Sequence, residues 1–246
     1  MKTWNTAIVV GASSGIGEAL AIRLAAEGTR VALVARREDE LRRVATTIGG
    51  DRAIVRVHDV CNGDDVPALW DEIEAELGDV DLLVYASGLL VKVDEHEYTF
   101  DKDRRMFAVN LVGAVAWLDQ AAVRMEARRD GTIVGISSIA GDRGRRGAPA
   151  YNASKAGLTT FLEALRNRLS RFGVNVVTIR PGFVDTAMTQ GMEGLLWLIS
   201  ADRAAEITLQ HARAGTSRDR HVPGRWWLVS AVIRCLPSWL FRRTSI

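Results

Sequence analysis

Short apolar runs alternate along this chain with longer stretches in which apolar residues recur every three or four positions. Ala7 to Val10, Arg30 to Ala35, Ala53 to Val57, Asp81 to Tyr85, Thr132 to Ile136 and Val174 to Ile179 are near-continuous apolar runs, as expected of strands buried on both faces. Between them, Glu18 to Glu27, Asp39 to Ile48, Asp64 to Leu77, Thr99 to Arg128 and Tyr151 to Phe172 carry helical spacing, three of them stopped at Gly28, Gly49 and Gly173. Asp202 to Arg213 predicts a further helix, and Arg218 to Val222 a short seventh strand. Unbroken strand–helix alternation predicts an α/β fold with a doubly wound parallel sheet, in a single domain spanning 1–246. Residues 187–246 are expected to form a variable lid and a C-terminal helical segment.

The turns at the strand ends carry the chemistry. Gly11-Ala-Ser-Ser-Gly15-Ile-Gly17 follows the first strand and opens the first helix. Glycines there let the backbone approach a pyrophosphate, and the helix N-terminus adds free N–H groups and partial positive charge. The second strand ends in Arg36-Arg37, where an acidic residue suits the ribose hydroxyls of NAD and an arginine suits the extra phosphate of NADP. A solvated pair opening the next helix is the alternative. Asp59 either accepts from an adenine amino group or caps the following helix. Ala86 and Gly88, after the fourth strand, are small enough to let a cofactor pass.

Tyr151 and Lys155 stand one helical turn apart, and Ser138 follows the fifth strand. A phenol has an unperturbed pKa near 10, and a neighbouring ammonium lowers it toward the working range of an acid–base catalyst. A serine hydroxyl at a strand end is placed to bind a carbonyl oxygen. Asn110 interrupts an apolar helical segment, either bonded within the core or serving an active-site network.

With 48% hydrophobic and 25% charged residues in 246, the chain has an ordinary globular balance and length for a large core. A net charge of +2 gives no reason to expect nucleic acid. Cys61 and Cys235 have no metal or disulfide spacing and are expected to be free, buried thiols. No metal site is expected. No stretch reads as a leader or as a membrane span, so the cytoplasm is the expected location.

Taken in order, Gly11 to Gly17, Asp59-Val60, Asn110, Ser138, Tyr151 with Lys155, and Pro181-Gly182 through Thr186 resemble the short-chain dehydrogenases/reductases of standard length, over about residues 6 to 190. The resemblance implies a Rossmann fold and an oxidoreductase moving a hydride between nicotinamide and a carbonyl or secondary alcohol. Catalysis would fall to Asn110, Ser138, Tyr151 and Lys155. Ser138 would polarise the carbonyl, Tyr151 would exchange the proton, and Lys155 would tune the tyrosine and bind the nicotinamide ribose. Asn110 would hold a water in a proton relay. Ser137 would turn toward structure. The cofactor would lie against Gly11, Ser13, Ser14, Gly15, Ile16, Gly17, Arg36, Arg37, Asp59, Val60, Ala86, Gly88, Tyr151, Lys155, Pro181, Gly182, Val184 and Thr186. NADP(H) is preferred over NAD(H) mainly on the two arginines, since Ser14 stands where many NADP-using members of the family carry a basic residue. Tyr85-Ala86-Ser87-Gly88 departs from the family's Asn-Asn-Ala-Gly.

The substrate would meet Ser138, Tyr151 and an apolar lid carrying Met188, Met192 and Trp197, although these side chains would equally serve to pack on the sheet. Asp142 to Arg146 is a basic loop, read either as a contact for an anionic group or as a solvated crossover. The tail reads as a helix from Gly224 to Leu236, broken by Pro237. It carries three of the seven Trp, and from Ala214 on there are six Arg against Asp219. Such a segment suits a subunit interface or a membrane surface. A homodimer or homotetramer is the leading expectation, with weak membrane association as its rival. A lipid-pathway reductase of the same chemistry acting at a membrane surface is one alternative to a reductase of an apolar carbonyl, and a dinucleotide-binding sensor or scaffold without chemistry is the other.

Overall fold

In a computed structural model, which describes residues 2–244, the apolar runs form one parallel sheet. Of the 1–246 span, residues 1, 245 and 246 lie outside the described residues. Strands β1 (Thr6–Val10), β2 (Arg30–Ala35), β3 (Ala53–Val57), β4 (Leu82–Tyr85), β5 (Gly131–Ile136) and β6 (Val174–Pro181) alternate with helices α1 (Gly15–Ala26), α2 (Glu38–Ile48), α3 (Val66–Leu77), α4 (Phe100–Phe107), α5 (Gly113–Arg128) and α6 (Pro149–Leu169). A two-stranded ribbon follows, β7 (Val184–Asp185) with β8 (Ile199–Ser200), then α7 (Ala201–Arg213), β9 (Arg218–Val222), α8 (Trp226–Cys235) and α9 (Ser238–Phe241).

The seven-stranded order is β3-β2-β1-β4-β5-β6-β9, all parallel. The strand alternation sorts side chains into two cores. Ile8 and Val10 of β1 face Trp70 of α3, Trp117 of α5 and Leu158 and Leu162 of α6. Ala7 and Val9 face the other way, toward Leu20 and Leu24 of α1, Leu41 of α2 and Leu209 of α7. Covering both faces is what makes continuous apolar strands stable. The winding reverses between β1 and β4, and the turns after these two strands form the crevice where open α/β sheets bind ligands.

Several expectations need correction. The expected helix 99–128 is divided by a π-helical turn, Ala108–Val112. This whole stretch, Phe100–Arg128, has the length and hydropathy of a membrane span, contrary to the sequence reading. It instead buries Met106, Trp117, Leu118, Ala121 and Met125 in the core. α6 begins at Pro149, two residues early, because proline fits the first turn of a helix. Both cysteines are exposed rather than buried. Nor is the basic loop simply solvated. Arg143 Nη1 donates to the Ile233 carbonyl at 2.8 Å and to the Leu236 carbonyl, satisfying the end of α8, and Arg146 donates to the Arg242 carbonyl. Asp142 is buried in an ion pair with Arg180 (2.6 Å) and accepts from Ser230 of α8 at 2.5 Å.

Candidate active site

The cofactor side of the crevice is set by close backbone approach. Gly11 has φ +92°, and a Cβ added there would lie 2.6 Å from the Ser87 nitrogen. A Cβ on Gly17 would collide with the Gly11 carbonyl, so α1 seats tightly beneath β1. Ser13, Ser14, Gly15, Ile16, Val60, Ala86 and Gly88 line a cleft of about 430 Å³ together with Pro181, Gly182, Val184 and Thr186. That volume is ample for a cofactor half and a small substrate.

The two arginines after β2 behave differently. Arg37 Nη2 donates to the Ser13 hydroxyl at 2.9 Å and to the Ser14 hydroxyl at 2.8 Å, joining the end of β2 to the glycine turn. Arg36 also lines the cleft but pairs with Asp59 at 3.6 Å. Asp59 accepts from the Cys61 N–H at 3.0 Å, a local turn contact. It does not cap the next helix, since Asn62 and Asp65 stand at the starts of the helical segments that follow. Burial raises its carboxyl, yet the Cys61 N–H and Arg36 pull it below the usual range. Asp59 and Gly17 support the cleft without lining it.

Tyr151 and Lys155 lie on the buried side of α6 and line the cleft floor with Ser138. Lys155 is 3% exposed, and burial lowers its ammonium to about 8. Its Nζ donates to the Ile136 carbonyl at 2.9 Å and lies 5.9 Å from the Tyr151 ring centroid. Burial raises the Tyr151 phenol, while the Ser138 hydroxyl and the Arg145 guanidinium pull it down. Arg145 thus places a second positive charge near this phenol, besides that of Lys155. Ser138 accepts from the Ala140 N–H at 3.0 Å, which holds its oxygen at the end of β5. Ser137 turns into the fold, donating to the Lys155 carbonyl at 3.0 Å and bonding Thr159.

Asn110 is fully buried at the π turn. Its Oδ1 accepts from the Leu89 N–H at 2.7 Å, and its Nδ2 donates to the Leu89 carbonyl at 2.9 Å and to Ser154 at 3.1 Å. A Cβ on Gly88 would stand 3.6 Å from Lys155 Nζ and 3.8 Å from Asn110 Oδ1, so these two polar groups converge behind that glycine. Tyr85, where the family has Asn, is fully buried and donates to the Val109 carbonyl at 2.7 Å.

On the substrate side, Met188 lines the cleft with its Sδ 3.9 Å from the Tyr151 hydroxyl. Met192 and Trp197 do not join it. Met192 is exposed, and Trp197 turns to stack edge-on against Trp226 of α8, 5.2 Å between centroids. Residues 188–198 form turns rather than a helix, so the apolar spacing there does not aim side chains inward. Leu89, Leu90 and His58 also line the cleft and were missed, since nothing in their spacing marks them. Arg145 was missed individually, although its loop was flagged as basic. Its Nε is buried with no partner among the described residues, and burial lowers its guanidinium.

Among the described residues no group of three or more His, Cys, Asp or Glu side chains could hold a metal ion. The glycine turn, closed to any Cβ, and the arginine reaching over two serine hydroxyls fit a phosphate-bearing dinucleotide.

Comparison with known proteins agrees. A family described as short chain dehydrogenase matches residues 5–194. An uncharacterised oxidoreductase of Myxococcus xanthus (strain DK1622) is 38% identical over 190 residues, 76% of this chain and 75% of that protein. Another, from Staphylococcus aureus (strain N315), is 34% identical over 187 residues, 76% of this chain and 81% of its own. Among solved structures, a variant of actinorhodin polyketide ketoreductase with NADPH superposes with a TM-score of 0.80 at 29% identity, covering 89% of this chain and 96% of that one. With its parallel sheet, its glycine turn and this match across most of its length, the chain belongs to the short-chain dehydrogenases, the NAD(P)-dependent dehydrogenases and reductases.

Proposed function

We propose that this protein is an NADPH-dependent reductase of an apolar carbonyl compound. The observation that carries the reading is the convergence of Ser138, Tyr151 and Lys155 on the floor of a cleft whose far end is closed by Arg37 over Ser13 and Ser14. NADPH, when bound, supplies the hydride. Its phosphate on the adenosine ribose suits Arg37, and the NADPH in the polyketide ketoreductase structure favours the same choice.

The chain's own groups do the rest. The Ser138 hydroxyl donates to the carbonyl oxygen and holds it beside Tyr151. Tyr151 gives its proton to that oxygen as negative charge develops there. With a pKa of about 8, Lys155 is mostly charged at neutral pH. It is placed to turn from the Ile136 carbonyl toward a ribose hydroxyl, bringing its charge nearer the phenol. Asn110 fixes the backbone at Leu89 and holds the polar pocket behind Gly88 through which a water reaches Lys155. Leu89, Leu90 and Met188 give the substrate end an apolar wall, hence the apolar substrate.

The test is NADPH oxidation across ketones, aldehydes, diketones, steroids and acyl thioesters, with Tyr151→Phe alongside. Turnover on one apolar class, abolished in Tyr151→Phe with NADPH binding retained, is expected. Wild-type turnover by Tyr151→Phe sinks the acid–base assignment. NADPH binding with silence across the panel favours the non-catalytic reading.

A further inference from the structure

Beyond the cleft, exposed apolar side chains gather at the C-terminal segment. α8 buries Trp226, Ser230 and Ile233 and turns Trp227, Leu228 and Val232 outward, each about 60% exposed. Trp239 of α9 is 56% exposed and Leu240 37%. The loop before β8 packs Trp197 on the buried side of α8, against Trp226, and exposes Leu196 and Leu198. An isolated exposed leucine needs no explanation, but five large apolar side chains exposed on two successive helices, two of them tryptophan, mark an interaction surface.

The charge of the segment says what covers it. From Arg220 to the C-terminus there are five Arg and no Asp or Glu. Arg225, Arg234, Arg242 and Arg243 are exposed, with Arg225 over the Trp197 ring at 4.9 Å and Arg243 over Trp239 at 5.7 Å. A two-fold contact sets a surface against itself. Here it would bring guanidinium groups together with no carboxylate in the segment to answer them. An anionic bilayer surface has the complementary charge, and exposed Trp and Leu flanked by Arg is the composition that settles at the headgroup boundary.

We infer that α8 and α9 form a docking face for a membrane surface carrying anionic phospholipid. The face is held rigidly to the catalytic floor. Ser230 and Arg180 both bond Asp142, and Arg143 bonds the carbonyls at the end of α8, all within the loop that follows Ser138. Trp226 also fills the space beside Gly182 that any Cβ would occupy. Docking therefore holds the catalytic unit at the lipid surface, where a lipid-soluble carbonyl compound partitions. This delivery role rests on the reductase reading; the docking does not.

The experiment is co-sedimentation of the full chain with phosphatidylcholine vesicles and with vesicles that also contain phosphatidylglycerol. Binding is expected to the anionic vesicles only, weakened by salt, with a blue shift of tryptophan emission. The double variants Trp227→Ser/Trp239→Ser and Arg242→Glu/Arg243→Glu should each bind at least about tenfold more weakly. NADPH binding reports that each variant is folded, and the arginine pair keeps the test valid if the tryptophan pair is not. No sedimentation with anionic vesicles, or equal binding to neutral ones, overturns the inference. So does a smaller particle in sedimentation velocity on Trp227→Ser/Trp239→Ser with lipid binding unchanged, which would make the face a subunit contact. Loss of NADPH binding by the wild-type chain would instead sink the reductase reading and leave the docking face standing.

Discussion

The Tyr85 hydroxyl donates to the Val109 carbonyl at 2.7 Å, one residue before Asn110. A π turn shifts the helical bonding register. Tyr85, at the end of β4, bonds to it across the core. Tyr85→Phe keeps the ring, removes this bond to the Val109 carbonyl and leaves the fold otherwise intact. A loss of about 0.5–1.5 kcal/mol in unfolding free energy is expected, read by urea denaturation. Turnover should fall while NADPH affinity holds, because the defect lies at Asn110 and not at the glycine turn. Unchanged stability and turnover would show that the bond is dispensable.

Arg37 is the better probe of cofactor choice. It bridges two serines of the glycine turn, whereas Arg36 already has Asp59 as partner. Arg37→Ala should weaken NADPH binding by about ten- to a hundredfold, the size of a lost charged hydrogen bond, and barely alter NADH binding. Arg36→Ala should do less. Equal losses for both cofactors in Arg37→Ala, measured by fluorescence titration, would remove Arg37 from the phosphate.

Lys155 links activity to stability with opposite signs. Its folded pKa of about 8 lies below the ordinary 10.5, so the unfolded chain holds that proton more tightly. A depressed amine costs stability at pH values below about 8, and the cost disappears as pH rises to 10.5. At neutral pH it is of order 3 kcal/mol. Lys155→Met should therefore abolish turnover yet raise Tm at pH 7 by a few degrees, after the loss of the bond to the Ile136 carbonyl. The gain should shrink as pH approaches 10. A lower Tm at pH 7 would mean the ammonium is well compensated where it lies.

Arg145 should tune Tyr151 without touching the cofactor. Its guanidinium favours the phenolate and opposes the upward push of burial. In Arg145→Gln that pull is gone, so the phenol titrates at higher pH. For carbonyl reduction, which needs the protonated phenol, the alkaline limb of the pH–rate profile should move to higher pH. Arg145→Lys should restore most of it. Identical profiles for wild type and Arg145→Gln would mean the charge is screened from the phenol.

The parallel sheet and the gathering of Ser138, Tyr151 and Lys155 along one cleft were legible because both leave local marks. Strands such as Ile133 to Ile136 are apolar on both faces, and Tyr151 with Lys155 keeps a helical interval. The π turn left none, because it changes which carbonyl meets which N–H without altering the apolar pattern from Met106 to Trp117. Arg143 and Arg146 read as a solvated or ligand-facing loop, since their partners are carbonyls about ninety positions away in α8 and beyond. Met192 and Trp197 were placed at the substrate by the apolar character of their loop. Chain direction in a loop follows its turns, and here Trp197, at φ +56°, faces α8. Tyr85 marked a departure from the family's motif, and its hydroxyl bonds the Val109 carbonyl beside Asn110.

Among the described strands β9 leaves the ribosome after the other six of the sheet, and it closes the sheet beside β6. Until it arrives, the β6 edge stands unpaired and Arg180, 7% exposed in the finished fold, has Asp142 but not Asp219. Parallel pairing between distant segments makes such folding slow. A nascent chain halted within α7 therefore displays a sticky strand edge and an arginine that lacks one of its two carboxylate partners, a species for chaperones to shield until synthesis resumes.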